Sequence, residues 1–275
     1  MSGWTLTLKS VPALRLDLRG LRPSALAALP ALEIERLPIG HGAGQVALGE
    51  LFRVAPHAGD DLLVFSGAGL ERCDRIGWKH DGGRTEVEGD AGDYAGALMT
   101  AGAVHVHGSA RLHAACEMAG GTLEIAGDVG DHAGGVLPGS IDGMRGGRLV
   151  VRGNAGRRFG DRMRRGTALV FGDAGDFLAS RMVAGTIALA GRAGQHVGYG
   201  MRRGSVVFAG APPQAIAATF VPAVADAGVF WQLLARDLQA FGGAFDALAR
   251  RRIAARHLGD LAAAGKGELI VVTHG

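Results

Sequence analysis

The chain has 275 residues, 47 of them glycine and 9 proline. Glycine is more than twice the ~7% of average usage, yet 48% hydrophobic and 20% charged residues exclude disorder, and the scarcity of proline excludes collagen and proline-rich linkers. A formal net charge of +3 is too small for a dedicated nucleic-acid binder, and no apolar run approaches the ~18 residues of a membrane span. The chain opens on an extended segment, MSGWTLTLKS, without the basic and apolar regions of a signal peptide, so none is expected. A short apolar segment follows, PSALAALPALEIERL, and residues 1–45 hold no repeat; they read as an N-terminal cap. The two cysteines, Cys73 and Cys116, fit no zinc or iron–sulfur spacing and are expected to be reduced thiols of a cytoplasmic protein.

From residue 46 to 210 the glycines keep a period. Gly67, Gly89, Gly108, Gly127, Gly153, Gly172, Gly191 and Gly210 each end a short apolar strand, at steps of 22, 19, 19, 26, 19, 19 and 19. Ten places on, once a seven-residue insertion around 136–142 is removed, stand Met99, Met118, Met144, Met163, Met182 and Met201, six of the seven methionines. Thirteen places on, Gly102, Gly121, Gly147, Gly166, Gly185 and Gly204 form a second glycine column. The strands that follow alternate with period two, with pairs such as Val104/Val106 and Leu149/Val151 inward. A 19-residue unit is too short for a strand, a helix and a return, and suits a stack of coils with glycine corners, a mainly β parallel β-helix. The methionines are predicted to fill its interior in one stack. The insertion is expected to protrude and to touch another subunit.

Residues 211–275 change character. Asp226–Phe241 and Ala244–Ala264 read as two amphipathic helices split by Gly242-Gly243, and 268–274 as a terminal strand. The outward strand position is polar early (Glu86, His105, Glu124) and apolar late (Val150, Leu169, Ala188, Val207). Such a stripe must be covered, by the C-terminal helices or by another subunit.

Chemistry-bearing residues are few. His105 and His107 share a strand face but lack a third ligand, and read as a surface pair, so no metal site is expected. His113 and His132 share a column with Tyr94, Arg158, Phe177 and His196, which reads as side-chain stacking. GDAGD and GDVGD look like phosphate loops, but they lead into no helix and lack Gly-Lys-Ser/Thr, so they read as corners with exposed Asp90, Asp128, Asn154 and Asp173. No catalytic set can be assembled. The arginines do repeat: Arg145, Arg164 and Arg202 at one position, Arg165 and Arg203 at the next, Arg162 and Arg181 two before the first. Such a ladder reads either as a solvated ridge or as a site for a polyanion or an acidic partner.

The run GDVGDHAGGVLPGSIDGMRGGRLVVRGNAGRRFGDRMRRGTALVFGDAGDF (127–177), continuing to GKGE (265–268), closely resembles the C-type subunits of formylmethanofuran dehydrogenases. A more distant likeness is the C-terminal β-helix domain of glutamate synthases. The resemblance implies a right-handed β-helix and a non-catalytic place in a multisubunit complex beside A-, B- and D-type subunits. In methylotrophic bacteria that is the formyltransferase/hydrolase complex, which moves a formyl group from tetrahydromethanopterin to a methanofuran analogue and hydrolyses it to formate. In methanogens it is the dehydrogenase itself, with its molybdenum or tungsten pterin on another subunit. The composition favours the bacterial complex. The analogue's glutamyl tail is then a candidate polyanion for the arginine ladder. A glutamate-synthase-like domain, or a β-helix enzyme acting on a polyanion, is the alternative reading.

Overall fold

The computed structural model describes residues 3–58, 61–224 and 228–273. Its centre is a stack of parallel strands, each one coil further along the chain. They are Asp81–Val87, Ala101–Val106, Thr122–Ile125, Arg145–Val151, Arg165–Val170, Thr186–Leu189 and Ser205–Phe208. The register is uniform: Val104, Leu123, Leu149, Ala168, Ile187 and Val206 lie side by side, all facing inward and buried. A second line of bridges joins Ala91, Ala110, Val129, Ala155, Ala174 and Ala193 on another side of the coil. The chain is therefore a parallel β-helix, as the period predicts.

The six methionines of the column are each 0% exposed. Their unbranched thioethers fill the narrow space between coils. The glycines thirteen places after the corner are required by geometry. Gly147 has φ +79°, and a Cβ there would lie 2.8 Å from the carbonyl oxygen of Gly121 in the coil below. Left-handed backbone is also imposed on non-glycine residues, including Tyr94, His113, His132, Arg158, Phe177 and His196 at φ 58–65°. They stack: Tyr94 on His113 at 5.0 Å, His113 on His132 at 5.1 Å and Phe177 on His196 at 4.8 Å, with Arg158 over Phe177 at 5.0 Å. Contact between neighbouring rungs offsets the cost of the left-handed backbone, of order 1–2 kcal/mol per residue.

The aspartates of the corner motifs tie one coil to the next. The Oδ1 of Asp128 accepts the amide of Asn154 at 2.6 Å, Asn154 that of Asp173 at 2.8 Å, and Asp173 that of Arg192 at 2.7 Å. Three places on, Asp131 and Asp176 do the same for Arg157 and Gln195. These amides are spent on the fold and cradle no phosphate.

At the N-terminal end, Gly3–Leu8 joins the large sheet parallel to Leu62–Ser66, with Phe52–His57 antiparallel at the edge. Two short helices, Pro23–Leu26 and Ala31–Glu35, and a small second sheet lie over this end. At the other end the terminal strand, Gly267–Val272, pairs parallel with Ser205–Phe208. His274 of the expected strand lies outside the described residues, as do residues 226–227 of the first expected helix, which otherwise forms as Gly228–Gln239.

The second expected helix is not there. Residues 244–264 make short 3-10 turns and the strand Ile253–Gly259, antiparallel to Gly267–Val272. An open sheet edge needs a partner, and this need outweighs local helical propensity. The apolar stripe is covered by the chain itself. Val150, Leu169, Ala188 and Val207 are buried with Trp231, Ala235, Leu238, Phe245 and Leu248 in a second core. Trp231 Nε1 donates to the Arg251 carbonyl at 2.8 Å, and Arg251 donates to the Ala209 carbonyl, pinning the cover to the last coil.

Candidate site: an arginine-lined trough

All seven arginines of the ladder come together along one edge of the β-helix. Arg162, Arg164, Arg181 and Arg202 line a cavity of 380 Å³ with Asp142 and Ile141. Arg145, Arg164, Arg165, Arg202 and Arg203 line an adjoining groove of 660 Å³ floored by Val183 and Ala184. Asp142, Arg164 and Arg202 border both, so the two form one trough. The repeat positions these side chains, because each pair precedes a strand of the stack. One detail departs from the sequence frame: Arg145 pairs with Arg165, not Arg164, at a register shift. Both amides, of Arg164 and Arg165, point at the Met144 carbonyl.

Charge in the trough is unbalanced. Arg164 is paired with Asp142 at 2.5 Å and Arg145 with Glu117 at 2.8 Å. Arg162 and Arg181 approach the buried Asp161 only to 3.8 and 4.0 Å. Among the described residues Arg165, Arg202 and Arg203 have no ion-pair partner. Seven guanidiniums thus face three carboxylates, and all but Arg162 are exposed. Planar guanidiniums a coil or two apart present repeated two-donor forks, which suit a row of carboxylates.

The insertion 136–142 forms no helix or strand and folds back over the trough's end. The Leu137 amide donates to Glu117 at 3.3 Å and Cys116 Sγ to the Val136 carbonyl at 3.5 Å, while Ile141 stands 73% exposed. Both cysteines are free and buried; burial pushes the Cys73 thiol up to about 12 and raises that of Cys116, so neither is a ready nucleophile.

His107 Nε2 meets Glu86 at 2.7 Å and His105 Nδ1 meets it at 3.5 Å, on the outer face of the early coils. Among the described residues no cluster of three His, Cys, Asp or Glu side chains is placed to hold a metal ion, and no helix is long and apolar enough to cross a membrane. Sequence reasoning found the seven arginines from their column. It also marked Asp161 as an acidic neighbour of the ridge, and it missed Asp142 and Glu117, since nothing periodic marks them.

Fold and trough define a glycine-repeat parallel β-helix with one strongly cationic edge. The GXGXG motif family matches residues 74–219. The C-type subunit of the formyltransferase/hydrolase complex of Methylorubrum extorquens is 42% identical over 88 residues, 32% of this chain and 32% of that protein. A chain of the crystal structure of that organism's formyltransferase/hydrolase complex, FhcABCD, solved with methylofuran, superposes with a TM-score of 0.90 at 41% identity, over 98% of this chain and 100% of that one. The chain belongs to the GXGXG family and, within it, to the C-type subunits of formyltransferase/hydrolase complexes.

Proposed function

We propose that this chain is the non-catalytic scaffold subunit of a cytoplasmic formyltransferase/hydrolase complex, assembled with A-, B- and D-type subunits. The observation that carries the reading is the full-length match to a chain of such a complex. Residues 1–45 and 211–275 serve as the end caps of a β-helix spanning 46–210. The exposed turn at 138–141 and its neighbourhood meet a partner subunit. The trough holds the anionic tail of a methanofuran-type cofactor, which the related complex carries as methylofuran.

Purification of the tagged chain from its native cells should bring down the three other subunits, and deletion of 136–142 should weaken that recovery while the β-helix stays folded. Arg164→Ser, Arg165→Ser, Arg202→Ser and Arg203→Ser combined should weaken binding of a glutamyl oligomer without unfolding the chain. Each exposed pair contributes about 0.2–1 kcal/mol, and the loss should shrink as salt rises. Wild-type binding that ignores salt, or a quadruple variant that binds normally, would reduce the trough to a solvated face.

A further inference from the structure

The large sheet ends in two edge strands, Phe52–His57 on one side and Val221–Ala223 on the other. Each carries an exposed proline, Pro56 and Pro222, and no inner strand of that sheet has one.

The hydrogen-bond phase of each edge follows from its neighbour. In an antiparallel pair, opposite residues alternate between those that exchange two hydrogen bonds and those whose amide and carbonyl point away from the partner. The Lys9 amide donates to the Leu51 carbonyl at 2.9 Å, and the register runs from Leu8 opposite Phe52 to Trp4 opposite Pro56. Counting by twos, Thr7 bonds Arg53 and Thr5 bonds Ala55, so Phe52, Val54 and Pro56 face outward. The Leu48 carbonyl takes the Phe52 amide and Pro56 has none, which leaves Val54 as the one outward donor of that strand. At the other end the Glu268 amide donates to the Gly204 carbonyl at 2.9 Å, away from Ile253–Gly259. Leu269 therefore bonds His257, while Arg256 and Leu258 turn toward Ala223 and Val221. Pro222, opposite His257, is the one residue of its strand that faces out, and it has no N–H.

Both prolines thus stand where the ring disturbs no bond of the sheet and removes a donor that an added strand would use. The hazard is greatest at the Val221–Ala223 end, where Val221 and, just beyond the strand, Val224 are exposed, since an apolar edge with free donors is a template for further strands. A repeating stack sharpens it, because the strand an end would accept resembles those it already holds. We propose that Pro56 and Pro222 guard the two ends of the β-helix, and that without them each end takes an edge strand from a second copy of this chain. An end that accepts its own kind closes as a two-fold pair, whereas one end that accepts the other leaves both outer ends open to further copies.

The test is sedimentation velocity of the full chain up to about 100 µM, with wild type, Pro56→Thr, Pro222→Thr and the two combined. Beyond whatever the wild type shows, either single variant should gain a dimer and stop there, and the combined variant should grow past the dimer as concentration rises. Hydrogen exchange at the new amide of position 222 should slow at least about tenfold between dilute and concentrated samples of the combined variant. Pro56→Lys with Pro222→Lys restores both donors but places charge on both edges, and should sediment as the wild type does. Should threonine disturb an end, alanine restores the same N–H and should give the same order. A combined threonine or alanine variant that associates no more than the wild type overturns the guard, as does a lysine pair that associates as strongly as the threonine pair.

Discussion

The early and late coils share one interior and differ outside. Inward, Val104, Leu123, Leu149 and Val206 are interchangeable rungs of one buried column. Outward, Glu86 is tied to Arg84, His105 and His107, while the same face further along carries Val150, Leu169, Ala188 and Val207 beneath the Gly228–Gln239 helix. The interior therefore sets the fold, and the outer face records what each half must meet. The late half is covered by the chain's own C-terminal segment. That cover in turn turns Val229, Phe230 and Leu233 outward, so the apolar surface is displaced rather than removed.

The sharpest way to break this contrast is to thin the cover. Leu238 is fully buried, and Leu238→Ala should cost about 2–5 kcal/mol in urea unfolding, as large-to-small core changes do. A loss under about 1 kcal/mol would mean that the stripe is stable without its cover.

Acid should sharpen the contrast from the other side. His80 stands one coil before Met99 in the methionine column, 0% exposed, with Nδ1 at 3.0 Å from the Ala101 carbonyl and Nε2 at 3.1 Å from Thr85. Burial lowers the affinity of His80 for a proton, and burial with His132 lowers that of His113. Both are early. The folded chain keeps them neutral while the unfolded chain protonates below about 6.5, so stability is complete above that pH and declines as pH falls beneath it. Between about pH 7 and 5, above the ordinary carboxylate range, hydrogen exchange should therefore accelerate in strands Asp81–Val87 and Ala101–Val106 before strands Thr186–Leu189 and Ser205–Phe208. Uniform acceleration along the stack would remove the imidazoles as its cause. His80→Met, completing the column, should abolish the difference.

The smallest effect belongs to the bare face. His107 is exposed, and His107→Ala should change stability by less than about 0.5 kcal/mol, measured in the same urea series as Leu238→Ala.

Much of the interior was legible because a coil repeats its constraints. Met99 to Met201 and Gly102 to Gly204 recur at one spacing, and each occurrence supports the others. The arginine column was legible for the same reason. What failed was non-periodic. Ile253–Gly259 reads as helix because it continues the 3.6 spacing of arginines and apolar residues that begins at Ala244, and nothing local announces Gly267–Val272 as its partner. The insertion folds back onto Cys116 and Glu117, and no repeat encodes that. The left-handed backbone at Tyr94, His113 and Phe177 was hidden too, since aromatic residues rarely adopt it and it is held by contacts between coils, the ring stacking and the amide bonds to Leu112, Asp131 and Gln195.

The corner ladder of Asp90, Asp128, Asn154 and Asp173 bears on how the chain folds. Most of its bonds join residues 19 apart, as do those of the strands they flank, so each coil can settle on the one before it at a small and constant loop-closure cost. The ends are different: Thr7 meets Ser66 across 59 residues, and Gly200 meets Asp260 across 60. Folding on this plan is a zipper that starts among the middle coils and runs outward, with the two long closures last. A ribosome releasing the chain from its N-terminus would have the coils assembled well before the cover for their apolar stripe emerges. During that interval Val150, Leu169, Ala188 and Val207 are bare, and this is when the chain most needs a chaperone.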